Sequence, residues 1–408
     1  MFNLSSPQQV SDFLFNHLNL QPIKETAGGK SGEKKASVDE SVILHYAEKE
    51  KIKFCSLLLE YRKLEKAKNN YLAELRRWVQ EGIRYKGFRT SFIHPDLWLN
   101  TTETVRSSGS SPNIQNQPKH GDIKKGMSWK ILRKPIIPLG PDWLLAEVDY
   151  EGAEVKTAGN LSGDKQLLKD LNEDLDMHSH WTNVIFGWNY ELPEVKKLHD
   201  DERYIVKNNW TFANIYGASN ISIAREFRKF DVYKNFVREK YRKGSPYNKD
   251  PWNQFYIEYS EKHFAEAQKE FFNRYKGLKE WQEDQLQFYY GNGYIETPLG
   301  FRRNYPLTQN EIFNFPIQSC SFHILLDAII RIEEKLLQSN LKSYMCTQIH
   351  DSIFFMFYKK EALELMELVD YEMINHNLPI PKKVELATEW SVGKNWMNMK
   401  TLSMCKEN

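Results

Sequence analysis

The chain has 408 residues, 41% hydrophobic and 27% charged, with a formal net charge of +2. That is the balance of a globular protein, too long for one simple core and suited to two or three packed subdomains. A sum so near zero excludes neither a polyanionic partner nor an acidic metal site, because basic clusters and carboxylates cancel in it.

No run of 18 apolar residues occurs, so no membrane span is expected. The opening MFNLSSPQQV lacks the basic-then-apolar order of a signal peptide. The four cysteines, Cys55, Cys320, Cys346 and Cys405, form no CxxC pair and fit no zinc framework; thiols in a reducing, cytoplasmic compartment are the expectation.

In chain order, residues 4–18 carry a helix signal: Ser5 or Ser6 to cap, Pro7 in the first turn, and an apolar stripe at Val10, Phe13, Leu14 and Leu18. TAGGKSGEKKAS at 26–37 reads as a mobile basic loop or a plain solvated linker. Residues 38–84 are expected to be helical, with LLLEYRKLEKAKNNYLAELRRWV the longest amphipathic run. Gly, Pro, Ser and Asn break 85–145 into short strands and loops. WLLAEVDY at 143–150 is an apolar strand ending near a carboxylate. Helices are expected over most of 151–230 and of 231–290, with a loop at GSPYNKDP, 244–251. GNGYIETPLG at 291–300 has the turn signals of a β-hairpin, and 309–338 reads as another long helix. YMCTQIHDSIFFMF at 344–357 reads as two strands joined by a tight turn at His-Asp.

Three constellations bear on chemistry. Asp149 in AEVDYEG and Asp351 in QIHDSIFF end apolar strands, where an unpaired acid is costly to bury. A pair of divalent cations about 3.5–4 Å apart would account for them, and Mg²⁺ favours such sparse oxygen ligation; two ordinary turn aspartates are the alternative. In ERYIVKNNWTFANIYG, at 202–217, Arg203 and Lys207 are spaced i, i+4, as are Phe212 and Tyr216. Cations beside rings suit a nucleotide, and a plain amphipathic helix is the alternative. VRSSGSSPNIQNQP at 105–118 is a polar loop whose side chains suit minor-groove acceptors, or an uncommitted loop.

Together these segments resemble family A DNA polymerases, the bacterial DNA polymerase I family. VDYEGAEVK is similar to motif A, RYIVKNNWTFANIYG to the motif B fingers helix, and QIHDS to motif C, usually Val-His-Asp-Glu. FNLSSPQQVSDFLF, LLLEYRKLEKAK, TETVRSSGSSPNIQNQP, DMHSHWTNVIFG, NFPIQS and VELATEWSVGKNW follow the family's order, from residue 2 to about 396. The resemblance implies an α+β right-hand polymerase fold: an antiparallel palm sheet, helical fingers and a truncated helical thumb. It divides the chain into thumb (1–84, with 26–37 as its basic tip loop), palm with motif A (85–177), fingers with motif B (178–305) and palm with motif C (306–408).

The implied activity is template-directed addition of dNTPs to a primer 3′-OH by two-metal phosphoryl transfer, with two Mg²⁺ ions for which Mn²⁺ can substitute. Asp149, Asp351 and the Tyr150 carbonyl would hold metal; His178, Arg203 and Lys207 the triphosphate, with Lys207 also protonating pyrophosphate. Phe212 would stack on the nucleotide, Tyr216 pack near the templating position, and Glu154 occupy the place of a ribose 2′-OH. Arg106, Asn113, Gln115, Asn314, Gln318 and His350 would contact primer–template DNA in the minor groove, and Arg62, Lys66 and Lys68 the duplex backbone. A catalytically silent DNA-binding scaffold and an RNA-synthesising relative are the competing readings; the retained acids and cations oppose the first, and Glu154 the second.

The departures from the family pattern are informative. Lys207 to Phe212 spans five residues where the family usually has four, and one extra residue turns an ideal helix by about 100°. A π-bulge within 207–212 is therefore expected, and either Phe212 or Thr211 is left to face the nucleotide. Ser352 stands where motif C commonly has glutamate, and Lys156 where motif A usually has arginine. A longer 231–265 and a shorter 301–313 are similar to phage polymerases. Because Met1 falls inside the thumb pattern, a separate polypeptide carrying the exonuclease and upper thumb is expected, or else a cloned fragment.

Overall fold

A computed structural model of the chain describes residues 2–26, 34–85, 87–99, 101–119, 121–124, 126–242 and 252–402. Two compact units emerge. The first comprises 1–97, 109–145 and 393–400; the second comprises 98–108, 146–392 and 401–408.

In the first unit, Ser6 caps α1 (Pro7–Asp12) by accepting from the Gln9 amide, and Pro7 fits the first turn. The helical path continues as a π segment over Phe13–His17. Glu25–Thr26 (β1) and Lys35–Ala36 (β2) pair antiparallel, so the arms of the expected 26–37 loop are strands; 27–33 lie outside the described residues. Asp39 caps α2 (Glu40–Glu48), and α3 (Lys53–Lys66) packs on it around buried Val10, Leu14, Ile43, Tyr46, Cys55 and Leu58.

A π segment, Ala67–Leu72, leads to α4 (Ala73–Trp78). The expected helix through 84 stops there: Val79–Tyr85 (β3) and Phe88–Ile93 (β4) form a hairpin. Gly82, at φ +72°, sits where the register shifts between Gln80 and Ile83. That backbone and the β-branched Val79 and Ile83 favour a bulged strand over a helix. Asp96–Trp98 (β5) and Ser108–Ser110 (β6) are short strands where the chain passes between the units. Asp122–Lys124 (β7) and Met127–Ser128 (β8) pair and place Ile123 beside buried Ala67 and Leu132.

Most of a five-stranded sheet lies in the second unit, in the order β12-β13-β9-β14-β15, where β9 is Trp143–Tyr150, β12 Tyr344–Ile349, β13 Ser352–Tyr358, β14 Thr388–Gly393 and β15 Lys400–Thr401. β9, the long helix and the β12–β13 hairpin lie where the hydrophobic pattern placed them. The helices are α5 (Ala153–Ser162), α6 (Lys165–Asn172), α7 (Met177–Phe186), α8 (Leu192–Leu198), α9 (Asp200–Val206), α10 (Phe212–Ile215), α11 (Asn220–Phe227), α12 (Asp231–Arg242), α13 (Trp252–Arg274), α14 (Lys276–Asn292), α15 (Gln309–Gln338) and α16 (Ala362–Ile374). The expected 244–251 loop lies outside the described residues.

The expected hairpin at 291–300 is displaced. α14 runs to Asn292 and ends on Gly293 at φ +77°, so the arms are Tyr294–Glu296 (β10) and Arg302–Asn304 (β11). Among the helices an aromatic core forms, with ring centroids 5.0 Å apart for Trp181–Phe271 and 4.5 Å for Phe227–Phe264. Such pairs add about 0.5–1.5 kcal/mol each beyond their buried area. Thr308 and Glu311 form a capping box that starts α15. By length and composition α15 is apolar enough to cross a membrane, but 61% of its most apolar stretch is buried, the pattern of a core helix.

Candidate active site

On β9 the burial alternates, so Glu147 and Asp149 share the half-buried face while Val148 and Tyr150 point into the core. β13 is the neighbouring strand. Asp351 lies in the two-residue turn His350–Asp351 between β12 and β13, closed by the pair Ile349↔Ser352, with exposed His350 at φ +54°. Positive φ at the first loop residue is what the right-handed strand twist asks of a two-residue hairpin. The Ser352 hydroxyl lies 2.8 Å from the Ile349 carbonyl oxygen and 3.0 Å from a Glu147 carboxylate oxygen. This tie across one strand spacing, about 4.8 Å, joins the Asp351 turn to the stretch of β9 that carries Asp149.

Arg106 bridges two acids. Its Nη1 lies 3.3 Å from Glu154 Oε1, and its Nη2 hydrogen-bonds Asp351 Oδ1. Burial works against the Arg106 charge, but Asp351 and Glu154 outweigh it and the net shift is upward. Glu154, in the first turn of α5, accepts a hydrogen bond from the Tyr216 hydroxyl. Burial raises the Glu154 carboxyl, with Tyr216, Arg106 and Lys207 opposing. Burial and the Glu154 charge likewise raise the Tyr216 phenol, which Gln318 of α15 also hydrogen-bonds.

A second cluster faces this one from α7, α9 and α10. The segment Lys207–Thr211 is a π turn, as the residue count required. It absorbs the extra residue and leaves Phe212 stacked on Tyr216, with ring centroids 6.0 Å apart and planes 11° from parallel. The Lys207 ammonium is 5.9 Å from the Phe212 ring centre and the His178 ring 6.0 Å from it. Thr211 is fully buried, its hydroxyl 3.4 Å from His178 Nδ1, so Phe212 takes the open position. Burial, then Lys207 and Arg203, push His178 down to about 4.

Asp176, which the sequence reading passed over, organises the cluster. It caps α7 through the His178 and Ser179 amides, both at 3.1 Å, and takes Arg203 Nε and Nη2, both at 3.0 Å. Burial opposes its charge, yet Arg203 and Ser179 hold the carboxyl below its ordinary value. An Asp opening a helix is a readable cap signal; its grip on Arg203 is tertiary.

The remaining candidates divide. Asn314 and Gln318 both lie on α15, and Asn314 Oδ1 is buried without a hydrogen-bond partner among the described residues. Lys156 donates to the Glu385 carbonyl at 3.0 Å. In the first unit, Asn113 Oδ1 accepts from the Asn116 amide at 3.1 Å and Gln115 is buried. Lys66 and Lys68 are exposed, but Arg62 is half-buried and donates to the Val38 carbonyl at 2.7 Å, a structural tie rather than a solvated cation.

Comparison with known proteins gives one picture. The family model described as DNA polymerase family A matches residues 1–398. DNA polymerase I of Caldicellulosiruptor bescii is 26% identical over 410 residues, covering 98% of this chain and 41% of the relative. The thermostable DNA polymerase I of Thermus filiformis is 26% identical over 411 residues, covering 98% and 42%. The chain thus spans about two fifths of the length of the curated relatives it matches. The POL domain of Pol1 from M. smegmatis, solved in complex with DNA primer-template and dNTP, superposes with a TM-score of 0.72 at 24% identity, covering 97% of this chain and 61% of that one. At that identity the likeness is one of fold.

Proposed function

The chain belongs to DNA polymerase family A and has the α+β right-hand polymerase fold, and from that premise we propose that it extends a primer 3′ end with deoxynucleotides under the direction of a template. The observation that carries this reading is that Asp149 lies near the end of β9 and Asp351 in the turn that leads into the neighbouring strand β13, whose first residue, Ser352, is tied to Glu147 of β9. The donors there, two carboxylates and the Tyr150 carbonyl, are all oxygen, which suits Mg²⁺ or Mn²⁺. Arg106 bridges two of the neighbouring acids, Glu154 and Asp351. Asp149, Asp351 and the Tyr150 carbonyl would hold divalent ions, which would supply a lowered pKa for the attacking hydroxyl and charge stabilisation for the leaving pyrophosphate.

The chain's own groups do the rest. Arg203, held by Asp176, presents a pre-oriented guanidinium to a triphosphate, and Lys207 supplies a second cation and a proton for pyrophosphate. With its titration near 4, His178 is neutral at pH 7 and acts as a hydrogen-bonding group rather than a charge. Phe212 offers its face to the base, and Tyr216 lies beyond it toward the template. Glu154, fixed by Tyr216 and Arg106, fills the space a 2′-hydroxyl needs. In the second unit, Arg106, Asn314, Gln318 and His350 would donate to minor-groove acceptors that every correct pair shares; in the first unit, Asn113 and Gln115 carry the same amide chemistry. Lys66 and Lys68 take backbone phosphates.

Primer extension with dNTPs or rNTPs tests the proposal. The wild-type chain is expected to extend with dNTPs, and Asp351→Asn to lose at least on the order of 100-fold. Asp351→Asn extending at the wild-type rate refutes the assignment of the acids, and a wild-type chain that binds primer–template without extending it favours the scaffold.

A further inference from the structure

Motif C lacks its usual acid because Ser352 stands there, yet the Ser352 hydroxyl lies 3.0 Å from a carboxylate of the next strand. Glu147 is two residues before Asp149 and on the same face of β9, so the two acids lie about 6.6–6.8 Å apart along the strand. Ser352 also hydrogen-bonds the Ile349 carbonyl, the residue that closes the Asp351 turn. The single Ser352 proton is shared between the Glu147 carboxylate and the Ile349 carbonyl, so the hydroxyl sits between Glu147 and the backbone that carries Asp351.

The geometry points to Glu147 as the positioning carboxylate of the metal site: it supplies from β9 the negative charge that motif C has given up and pins the Asp351 turn through Ser352. This rests on the polymerase reading of Asp149 and Asp351. Among the described residues no three acidic, histidine or cysteine side chains converge as a ready ligand set. Glu147 reaches the Asp351 turn through Ser352, as a positioning group and not as a ligand. Outer partners of this kind set metal affinity by roughly 10–100-fold. The alternative is a strand glutamate that only satisfies Ser352, and its cost would appear in stability alone.

The test uses the full chain and Mn²⁺ as the probe, its binding followed by electron paramagnetic resonance without nucleotide, beside the Mg²⁺ dependence of single-nucleotide extension. Glu147→Gln keeps an acceptor for Ser352 and removes the charge. It is expected to weaken Mn²⁺ binding about 10-fold and to raise the Mg²⁺ requirement similarly, with KM for dNTP within about twofold and the unfolding midpoint unchanged. The exchange variant, Glu147→Ser with Ser352→Glu, relocates the acid across the pair and is expected to return Mn²⁺ affinity to within about threefold of wild type, whereas Glu147→Ser alone does not. Wild-type Mn²⁺ affinity in Glu147→Gln, or an exchange variant no better than Glu147→Ser, overturns the inference. If Asp351→Asn also leaves Mn²⁺ binding and extension untouched, the polymerase reading itself has failed; silence confined to the Glu147 series sinks this inference alone.

Discussion

Gly217 follows Tyr216 at the end of the short helix α10, with φ at +76°. A Cβ built there would sit 2.4 Å from both Cδ2 and Cε2 of Phe313 and 3.2 Å from Gln309 Nε2. Phe313 cannot swing clear, because it is buried among Tyr289, Ile312 and Phe315. Gly217→Ala therefore combines a left-handed backbone, about 1–2 kcal/mol, with overpacking, about 1–3 kcal/mol, for a total of about 2–5 kcal/mol. Gly293→Ala is the internal control: φ is +77° and nothing lies within 4 Å of its Cβ, so only the backbone cost of about 1–2 kcal/mol applies. Urea unfolding of both variants at matched m-value gives the difference, expected at about 1–3 kcal/mol. Equal costs for the two substitutions would show that Phe313 yields freely and that the packing under Tyr216 is loose. Tyr216 is the neighbour that donates to Glu154, so primer extension by Gly217→Ala is expected to fall with stability.

Two more outcomes follow from the site. Glu154→Ala opens the space beside Tyr216 and is expected to reduce the dNTP over rNTP ratio of kcat/KM by on the order of 100-fold; an unchanged ratio removes Glu154 from sugar selection. His263 is packed against Tyr233, Tyr259 and Phe264, and its pKa is pushed to about 4 by burial, with the Ile185 backbone and Glu266 opposing and Lys240 adding. The unfolded chain takes up that proton near 6.5 and the folded one only near 4. The contribution is thus complete above pH 6.5 and lost as pH falls from about 6.5 to about 4. His263→Gln should flatten the acid limb of stability by up to about 1.4 kcal/mol per pH unit, and an unaltered slope in pH-dependent unfolding counts against the assignment.

Long periodic segments were legible from sequence because local pattern and tertiary role agree in them. β9 is an alternating strand, α15 opens on a Thr308–Glu311 box, and the β12–β13 hairpin is apolar on both sides of His350–Asp351. The π turn was legible by counting, since two i, i+4 pairs five residues apart cannot share a face of a regular helix. β3 was not, because the amphipathic charge pattern of α3 and α4 runs on into it and only Gly82 interrupts. Arg62 was read as a contact to the duplex backbone, and its tie to the Val38 carbonyl was not legible because that partner is 24 positions away. Asp176 and Glu147 were missed for the same reason: their partners, Arg203 and Ser352, lie 27 and 205 positions distant. Caps and faces are local, whereas the groups they finally grip are set by the sheet and by helix packing.

The wide turn at Lys207–Thr211 gives this part of the chain slack in length. Gaining or losing one residue inside such a loop of backbone changes its bore and leaves everything downstream in phase. The same insertion in α13 would swing the aromatic stripe of Phe255, Phe264 and Phe271 by about 100° and empty the core. A helix built this way can vary its count between Lys207 and Phe212 while the residues on either side keep a common face.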